Sequence, residues 1–310
     1  MTIVVSVPNR EKIDWWIEQL TPLLLGWTIR SIHDPGAPEA VTYAVVWKPA
    51  IGAFLPFPNL KAIVSLGAGI DHVLADAELP RQVPIIRTVG EDLTQRMREY
   101  VALHVLRHHR DMPAISASQG SSEWKQRVVP PATKRTVGVM GLGNLGGAAA
   151  TTLASLGFET LGWSCSRREI EGVTTYAGEA EFDAFLGRCE ILVCLLPLTA
   201  ATTGILDAAL FDRLPDGASV INAGRGPHLI EADLLAALDH GRLAHATLDV
   251  FAIEPLPSDH AFWTHPNVTV TPHIASLIDA PTGSRIVAAN IERFERDGRV
   301  ADQADASRGY

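Results

Sequence analysis

Three polar segments carry the residue types needed for proton transfer beside an acidic ligand. They are Asn222-Ala223-Gly224-Arg225-Gly226, Asp249-Val250-Phe251-Ala252-Ile253-Glu254-Pro255 and Thr271-Pro272-His273-Ile274-Ala275-Ser276, each following an apolar run. Imidazole changes charge most readily near neutral pH, so His273 is a candidate proton donor or acceptor. A carboxylate beside it, Glu254, would favour the charged ring and fix its orientation. Arg225 presents a planar fork that matches a carboxylate and can polarise a carbonyl through charge-assisted hydrogen bonds.

A second group of residues is suited to phosphate. Gly141-Leu142-Gly143-Asn144-Leu145-Gly146 follows the apolar run Thr136–Met140 and opens a helix expected at Leu145–Leu156. In a dinucleotide site Gly141 permits the tight turn, Gly143 lets the backbone approach a pyrophosphate, and Gly146 allows close helix-to-strand packing. The helix N-terminus adds free N–H groups and partial positive charge. About 20 residues after such a turn, an NAD site places an acid for the ribose 2′-OH. Here Ser164 stands in that place, followed by Cys165, Ser166, Arg167 and Arg168, and Glu169 comes too late to replace the acid. Guanidinium groups without a carboxylate suit a 2′-phosphate, so the predicted cofactor is NADP(H). Which arginine makes the contact stays open.

These residues need a scaffold that brings strand ends together. Apolar runs at Ile3–Val7, Tyr43–Trp47, Ala62–Ser65 and Ile85–Arg87 read as strands, with an amphipathic stretch at Arg10–Leu25. A helix is expected over Glu99–His109, with Tyr100, Leu103 and Leu106 at helical spacing. The polar segment Ala117–Lys134 reads as an ordered loop, because Trp124 calls for burial. Further strands are expected at Thr136–Met140, Thr160–Trp163, Ile191–Leu195, Ser219–Asn222, Ala246–Asp249 and Val268–Thr271. Helices fall between them at Glu181–Arg188, Ala208–Arg213 and Glu231–His240, with a last one near Ala280–Arg296. Strands alternating with helices predict an α/β fold with a doubly wound parallel sheet, in which ligands bind beyond the carboxyl ends of the strands. The polar tail after Gly298 is expected to fray.

The 310 residues suffice for two domains, and 47% hydrophobic with 20% charged residues is ordinary for a soluble globular chain. A net charge of −9 argues against non-specific nucleic-acid binding. Cys165, Cys189 and Cys194 form neither a paired framework nor a metal-ligand spacing, so a reduced, cytoplasmic setting without a metal is expected. No apolar run is long enough to span a bilayer, and the short N-terminal one is no signal peptide.

Taken together, the three polar segments resemble the arginine, glutamate and histidine motifs of the D-isomer-specific 2-hydroxyacid dehydrogenase family. Leu196-Pro197-Leu198-Thr199 with Thr202 and Gly204 resembles a fourth motif of that family, and the likeness runs from about Leu66 to Ser276. Trp47-Lys48, the Met97–Tyr100 region and the loop from Trp163 to Arg168 look like its glyoxylate/hydroxypyruvate reductase A branch. The resemblance implies reduction of a small 2-keto acid. Hydride addition leaves negative charge on the carbonyl oxygen, which His273 would protonate while Arg225 holds the acid. Formate dehydrogenases of the same superfamily generally carry glutamine at the glutamate position, so Glu254 argues against that activity.

It also implies a Rossmann cofactor domain over residues 98–279 and a smaller, flavodoxin-like substrate domain made of 1–97 and 280–310. Hinges are then expected near Arg96–Glu99 and Ser276–Pro281. Leu66, Gly67, Ala68 and Gly69 look like the loop whose amides meet the substrate carboxylate, Trp47 a pocket residue, and Asp249 the partner of the nicotinamide carboxamide. Leu196, Pro197, Thr202, Ala223 and Gly224 fall among the expected cofactor contacts. Similar proteins are homodimers, for which Glu99–His109 and Ala117–Lys134 are the candidate contacts here. Pyruvate, phenylpyruvate or a phosphorylated acid remain alternative substrates, and a dinucleotide-sensing regulator with little turnover is the alternative of a different class.

Overall fold

The computed structural model describes residues 1–305. The chain forms two compact units, Met1–Leu93 together with the segment from Leu277 onward, and Thr94–Ser276. These divisions lie a few residues from the 97/98 and 279/280 boundaries read from the sequence. Residues 306–310, counted there with the first domain, lie outside the described residues.

The chain opens with β1 (Thr2–Ser6), α1 (Arg10–Leu20), β2 (Thr28–Ser31), β3 (Val41–Val46), β4 (Ala62–Ser65), α2 (Asp71–Leu74), β5 (Ile85–Arg87) and α3 (Glu91–His109). It continues with α4 (Met112–Gly120), β6 (Thr136–Met140), α5 (Asn144–Ser155), β7 (Glu159–Ser164), β8 (Thr174–Ala177) and α6 (Phe182–Leu186). Then come β9 (Ile191–Cys194), α7 (Ala208–Phe211), β10 (Ala218–Asn222), α8 (Glu231–Asp239), β11 (Leu243–Leu248) and β12 (Val268–Val270). The last element is α9 (Ala280–Asp297).

Among the described residues the first unit holds a five-stranded parallel sheet in the order β2-β1-β3-β4-β5. Its inner strands are continuous apolar runs because both faces are covered, and β1, β3 and β4 are buried along their whole length. Asn9 caps α1, its side chain accepting from the Glu11 amide at 2.8 Å, and the helix ends at Leu20, short of the Leu25 read from the sequence. Asp279 caps α9 through the Thr282 amide at 2.9 Å, and Gly298 closes it in the left-handed region at φ 68°. Residues 299–305 of the tail depart from the fraying expected after Gly298. Asp302 and Ala304 exchange backbone hydrogen bonds with Arg87 and Ile85 at the free edge of β5, and Val300 is buried. An exposed strand edge offers unpaired N–H and C=O groups, which this segment satisfies.

The second unit holds a seven-stranded parallel sheet, ordered β12-β11-β10-β9-β6-β7-β8, with β6 and β9 adjacent at the point where the order reverses. Its core runs on both faces, from Leu161, Phe185 and Leu192 on one side to Val137, Leu153 and Val193 on the other. The edge strands β2 and β8 are absent from the sequence reading. Both are polar and part-exposed, so they carry no apolar run to detect. Helix α3 starts at Glu91, eight residues before the expected start, and runs unbroken through the stretch Arg96–Glu99 read as a hinge. Met97, Tyr100, Val101 and Val105 of α3 pack into the core, whereas Leu103 is 61% exposed. Helix α4 then occupies the start of the segment read as a loop. Beyond it Trp124 is 93% exposed, against the burial expected of it.

Candidate active site

The predicted catalytic residues all sit in loops after β10, β11 and β12 of the second unit. A parallel sheet directs every strand's carboxyl end to one edge, so three sequence-distant loops meet there. The His273 Nδ1 and Glu254 Oε2 atoms are 2.9 Å apart, with both side chains largely buried. The other Glu254 oxygen, Oε1, accepts from the Phe251 amide at 3.1 Å, so the carboxylate is oriented by its own loop. With Nδ1–H donated to Glu254, Nε2 is the nitrogen through which a proton can pass.

His273 sits in the left-handed region at φ 55°, an uncommon conformation for a non-glycine residue, and the hydrogen bonds around it act as a constraint. The constraint is Asp249. Its carbonyl accepts from the His273 amide at 2.8 Å. Its carboxylate, 1% exposed, accepts from the Ile274 amide at 2.9 Å, the Ala275 amide at 2.9 Å and the Thr271 hydroxyl at 2.6 Å. Having donated there, Thr271 must accept from the Tyr100 hydroxyl at 2.7 Å. Burial, and next the Asp249 charge, push the Tyr100 phenol up, so it stays a donor. Asp249 thus locks the histidine loop, and its Oδ2 retains a lone pair beyond the Ala275 bond.

Arg225 follows β10. Its Nη1 donates to the Gly224 carbonyl at 2.7 Å, and its amide donates to His228 Nδ1 at 3.1 Å. His228 is buried, and because an amide can only donate, its ring proton sits on Nε2, 3.2 Å from the Pro197 carbonyl. The sequence reading missed this residue. It ties the arginine loop to Leu196 and Pro197, and Thr202 fastens the same turn through a 2.7 Å bond to the Pro197 carbonyl. Gly226 joins the arginine loop to the glutamate loop, since a Cβ there would stand 1.9 Å from the Phe251 carbonyl carbon. Ala223 and Gly224 lie buried between these contacts.

The glycine turn adopts the geometry its spacing suggests. Gly141 has φ 95°, and a Cβ on Gly146 would fall 1.8 Å from the Gly141 carbonyl oxygen. A Cβ on Gly143 would meet nothing within 4 Å, so the backbone faces open space at the N-terminus of α5, where no side chain caps the helix. A cavity of about 400 Å³ opens there, lined by Leu142, Gly143, Asn144, Thr151, Arg168 and Ile170 among others. Leu145 lies in the first turn of α5 beside it. The two arginines separate. Arg167 donates to the Thr175 carbonyl at 2.6 Å and pairs with Glu181 at 2.5 Å, while Arg168 lines the cavity. The Ala177 amide first, and Arg167 second, hold the Glu181 carboxyl below the usual range. Ser164 at the end of β7 donates to the Ser166 carbonyl at 2.8 Å. Glu169 also lines the cavity, next to Arg168, so the surface holds one carboxylate beside the guanidinium and the free amides of the helix start, which fit a phosphorylated dinucleotide.

In the first unit, Leu66, Gly67, Ala68 and Gly69 form the turn after β4. The amides of Gly67, Ala68 and Gly69 have no acceptor among the described residues, whereas the Leu66 amide, expected among them, is taken by the Val46 carbonyl at 2.8 Å because Leu66 still belongs to the strand ladder. Trp47 overlies Gly67, where a Cβ would come within 2.8 Å of the indole. Cys189 and Cys194 are buried, and burial pushes the Cys194 thiol up to about 12; Cys165 is exposed. Among the described residues no cluster of three or more potential metal ligands occurs, and no helix is long and apolar enough to cross a membrane.

Comparison with known sequences places this arrangement. The family described as D-isomer specific 2-hydroxyacid dehydrogenase, NAD binding domain, matches residues 102–275. The chain belongs to the D-isomer-specific 2-hydroxyacid dehydrogenases. A glyoxylate/hydroxypyruvate reductase A of Yersinia enterocolitica is 40% identical over 280 residues, 89% of this chain and 90% of that protein. A Xanthobacter autotrophicus family member solved with NADPH and MES superposes with a TM-score of 0.93 at 40% identity, covering 99% of both chains. An NADPH-dependent glyoxylate/hydroxypyruvate reductase of Sinorhizobium meliloti, solved with NADP and sulfate, gives 0.91 at 42% identity over 100% of this chain and 99% of that one. The dehydrogenase thus shares its whole length with proteins crystallised with NADP(H).

Proposed function

We propose that this dehydrogenase uses NADPH to reduce a small 2-keto acid of the glyoxylate and hydroxypyruvate type to the D-2-hydroxy acid. The observation that carries the reading is the His273–Glu254 pair at 2.9 Å, on a loop that Asp249 locks at an unusual backbone angle. Both relatives named as glyoxylate/hydroxypyruvate reductases support the substrate class.

When bound, NADPH supplies the hydride. The chain's own residues handle charge and position. His273, imidazolium with Nδ1–H on Glu254, releases the Nε2 proton to the carbonyl oxygen as that oxygen becomes an alkoxide. Arg225 draws the substrate carboxylate and polarises the carbonyl. Gly67, Ala68 and Gly69 offer amides to an acid, Leu66 anchors their turn to β3 through its own amide, and Trp47 limits the space above Gly67. Gly141, Gly143, Asn144, Leu145 and Gly146 would take the pyrophosphate. Arg168 would take the 2′-phosphate with Ser164 and Ser166 beside it, and Arg167 supports the loop through Thr175 and Glu181. Leu196, Pro197, Thr202, Ala223 and Gly224 would flank the nicotinamide half, and the remaining lone pair of Asp249 would meet the carboxamide.

A second copy of the chain is the proposed partner, docked against α3, α4 and the segment after them. Leu103, Leu106, Met112, Ile115, Trp124 and Val128 all stand exposed there, an apolar surface of the kind a partner covers. A cytoplasmic setting is supported by three cysteines left unpaired. Oxidation of NADPH and of NADH across a panel of 2-keto acids, for the parent and His273→Ala, tests the reading. Expected are activity with glyoxylate and hydroxypyruvate, preference for NADPH, and loss of at least about 100-fold in kcat without the imidazole. His273→Ala turning over like the parent would overturn the assignment.

A further inference from the structure

One histidine of the first unit has no part in the chemistry proposed above, yet its two ring nitrogens join the two turns that carry Trp47 and Gly67–Gly69. His72, in α2, lies with its ring centroid 4.4 Å from that of Trp47 and tilted by 55°. The Lys48 amide donates to its Nδ1 at 3.2 Å, and its Nε2 is 3.1 Å from Ser65 Oγ. An amide N–H cannot accept, so Nδ1 carries no proton and the ring is neutral with its proton on Nε2. That proton goes to Ser65 Oγ, and the Ser65 hydroxyl donates in turn to the Gly69 carbonyl at 3.1 Å.

Every donor in this chain meets an acceptor, from the Lys48 amide through His72 and Ser65 to Gly69. It crosses from the turn after β3 to the turn after β4. Lys48 sits at φ 47°, a left-handed angle that a side chain of this size takes only when held, and the His72 bond is what engages its amide. Engaging the Gly69 carbonyl fixes one side of the loop, whose own amides at 67–69 lack acceptors among the described residues.

We propose that His72, as the neutral Nε2–H tautomer, is a positioning residue for the 2-keto acid: it holds the Trp47 indole over Gly67 and, through Ser65, sets the Gly69 peptide so that the loop amides present together to a carboxylate. The inference rests on the assignment of Gly67–Gly69 to the substrate acid. His72→Phe keeps a ring against Trp47 but loses both hydrogen bonds. His72→Asn keeps an acceptor, Oδ1, where Nδ1 meets the Lys48 amide.

Steady-state kinetics with glyoxylate and NADPH separates the possibilities, alongside thermal melts. Expected for His72→Phe is a KM for glyoxylate raised about tenfold, with the KM for NADPH and kcat within about twofold of the parent, as for loss of one or two neutral hydrogen bonds. Expected for His72→Asn, which regains only the Lys48 bond and loses both the ring and the link to Ser65, is a glyoxylate KM that is still raised. Ser65→Ala, which cuts only the link to Gly69, should raise the same KM by a smaller factor and keeps the test open if His72→Phe does not fold. An unchanged glyoxylate KM in His72→Phe, equal rises for both substrates, or a His72→Asn variant that matches the parent would overturn the proposal. His273→Ala serves as the control: if it is inactive while His72→Phe behaves like the parent, only this positioning role falls. If it stays active, the reaction assignment itself fails.

Discussion

Replacing Glu254 by glutamine tests the pairing at the centre of the site, because the structure dictates which way the amide must face. Glu254 Oε1 accepts from the Phe251 amide at 3.1 Å, and Oε2 faces His273 Nδ1 at 2.9 Å. In Glu254→Gln only the amide oxygen can accept from Phe251, so the NH2 group is turned toward the histidine. Nδ1 must then become an acceptor. The imidazolium, which carries a proton on both nitrogens, would face a donor with a donor, and the neutral ring would hold its proton on Nε2. Reduction loses its proton source, and oxidation of the hydroxy acid loses the open Nε2 it needs as a base. A hydrogen bond to a charged group contributes about 1.5–3 kcal/mol, and 1.36 kcal/mol is a factor of ten in rate, so kcat should fall about 10- to 150-fold in both directions. Stopped-flow or steady-state assays measure this as NADPH oxidation with the keto acid and NADP reduction with the hydroxy acid, with the KM for NADPH expected to stay within about twofold. A glutamine variant within twofold of the parent in either direction would refute the orientation argument, since the two side chains differ by little besides charge and donor pattern.

Other consequences follow from the same geometry. Arg168→Ala should raise the KM for NADPH at least about tenfold and leave that for NADH unchanged, with a smaller effect from Arg167→Ala, because only the first lines the cavity beside Gly143; equal effects of the two would refute the division. Burial, followed by the charge of Arg107 and by His245 respectively, pushes His104 down to about 4 and His108 to about 3. Unfolded histidines protonate near about 6.5, so between there and pH 4 the unfolded state binds more protons and stability falls as pH falls, by up to about 1.4 kcal/mol per pH unit for each ring. Chemical denaturation from pH 7.5 to 5 should show this slope, and His108→Gln should flatten it. Trp124→Ser combined with Val128→Ser should weaken self-association at least about 100-fold, read by sedimentation, since burial of side chains this size contributes about 1.5–3 kcal/mol each; a parent that sediments as a monomer would refute the partner assignment.

Much of the site is legible in the sequence because its signals are local. The buried parallel strands are continuous apolar runs, so β4, β5 and β6 are read to the residue and β7, β9, β10 and β12 to within one, whereas β11 begins three residues earlier than read. The catalytic candidates stand immediately beyond strand ends, and a parallel sheet leaves such positions one edge to occupy, so residue type and place together name Arg225, Glu254 and His273. The glycine spacing is likewise a backbone requirement, and the clash of a Cβ on Gly146 with Gly141 states it in distances.

What the tertiary structure alone decided are the facts that depend on a partner far away in the chain. The edge strands β2 and β8 are polar segments that are strands only through their pairing with β1 and β7. Arg167 and Arg168 are adjacent and chemically alike, and only the positions of Thr175 and Glu181 send one away from the cavity. Trp124 looks like a core residue by composition and is exposed, because burial depends on what packs above a side chain and not on its own preference. His228 and His72 follow closely on motif residues without belonging to them, and their tautomers depend on partners that include the distant Pro197 carbonyl and the Lys48 amide. Periodicity and turn chemistry are properties of neighbouring residues and can be read along the chain, whereas a hydrogen bond between distant segments exists only once the fold has placed both ends.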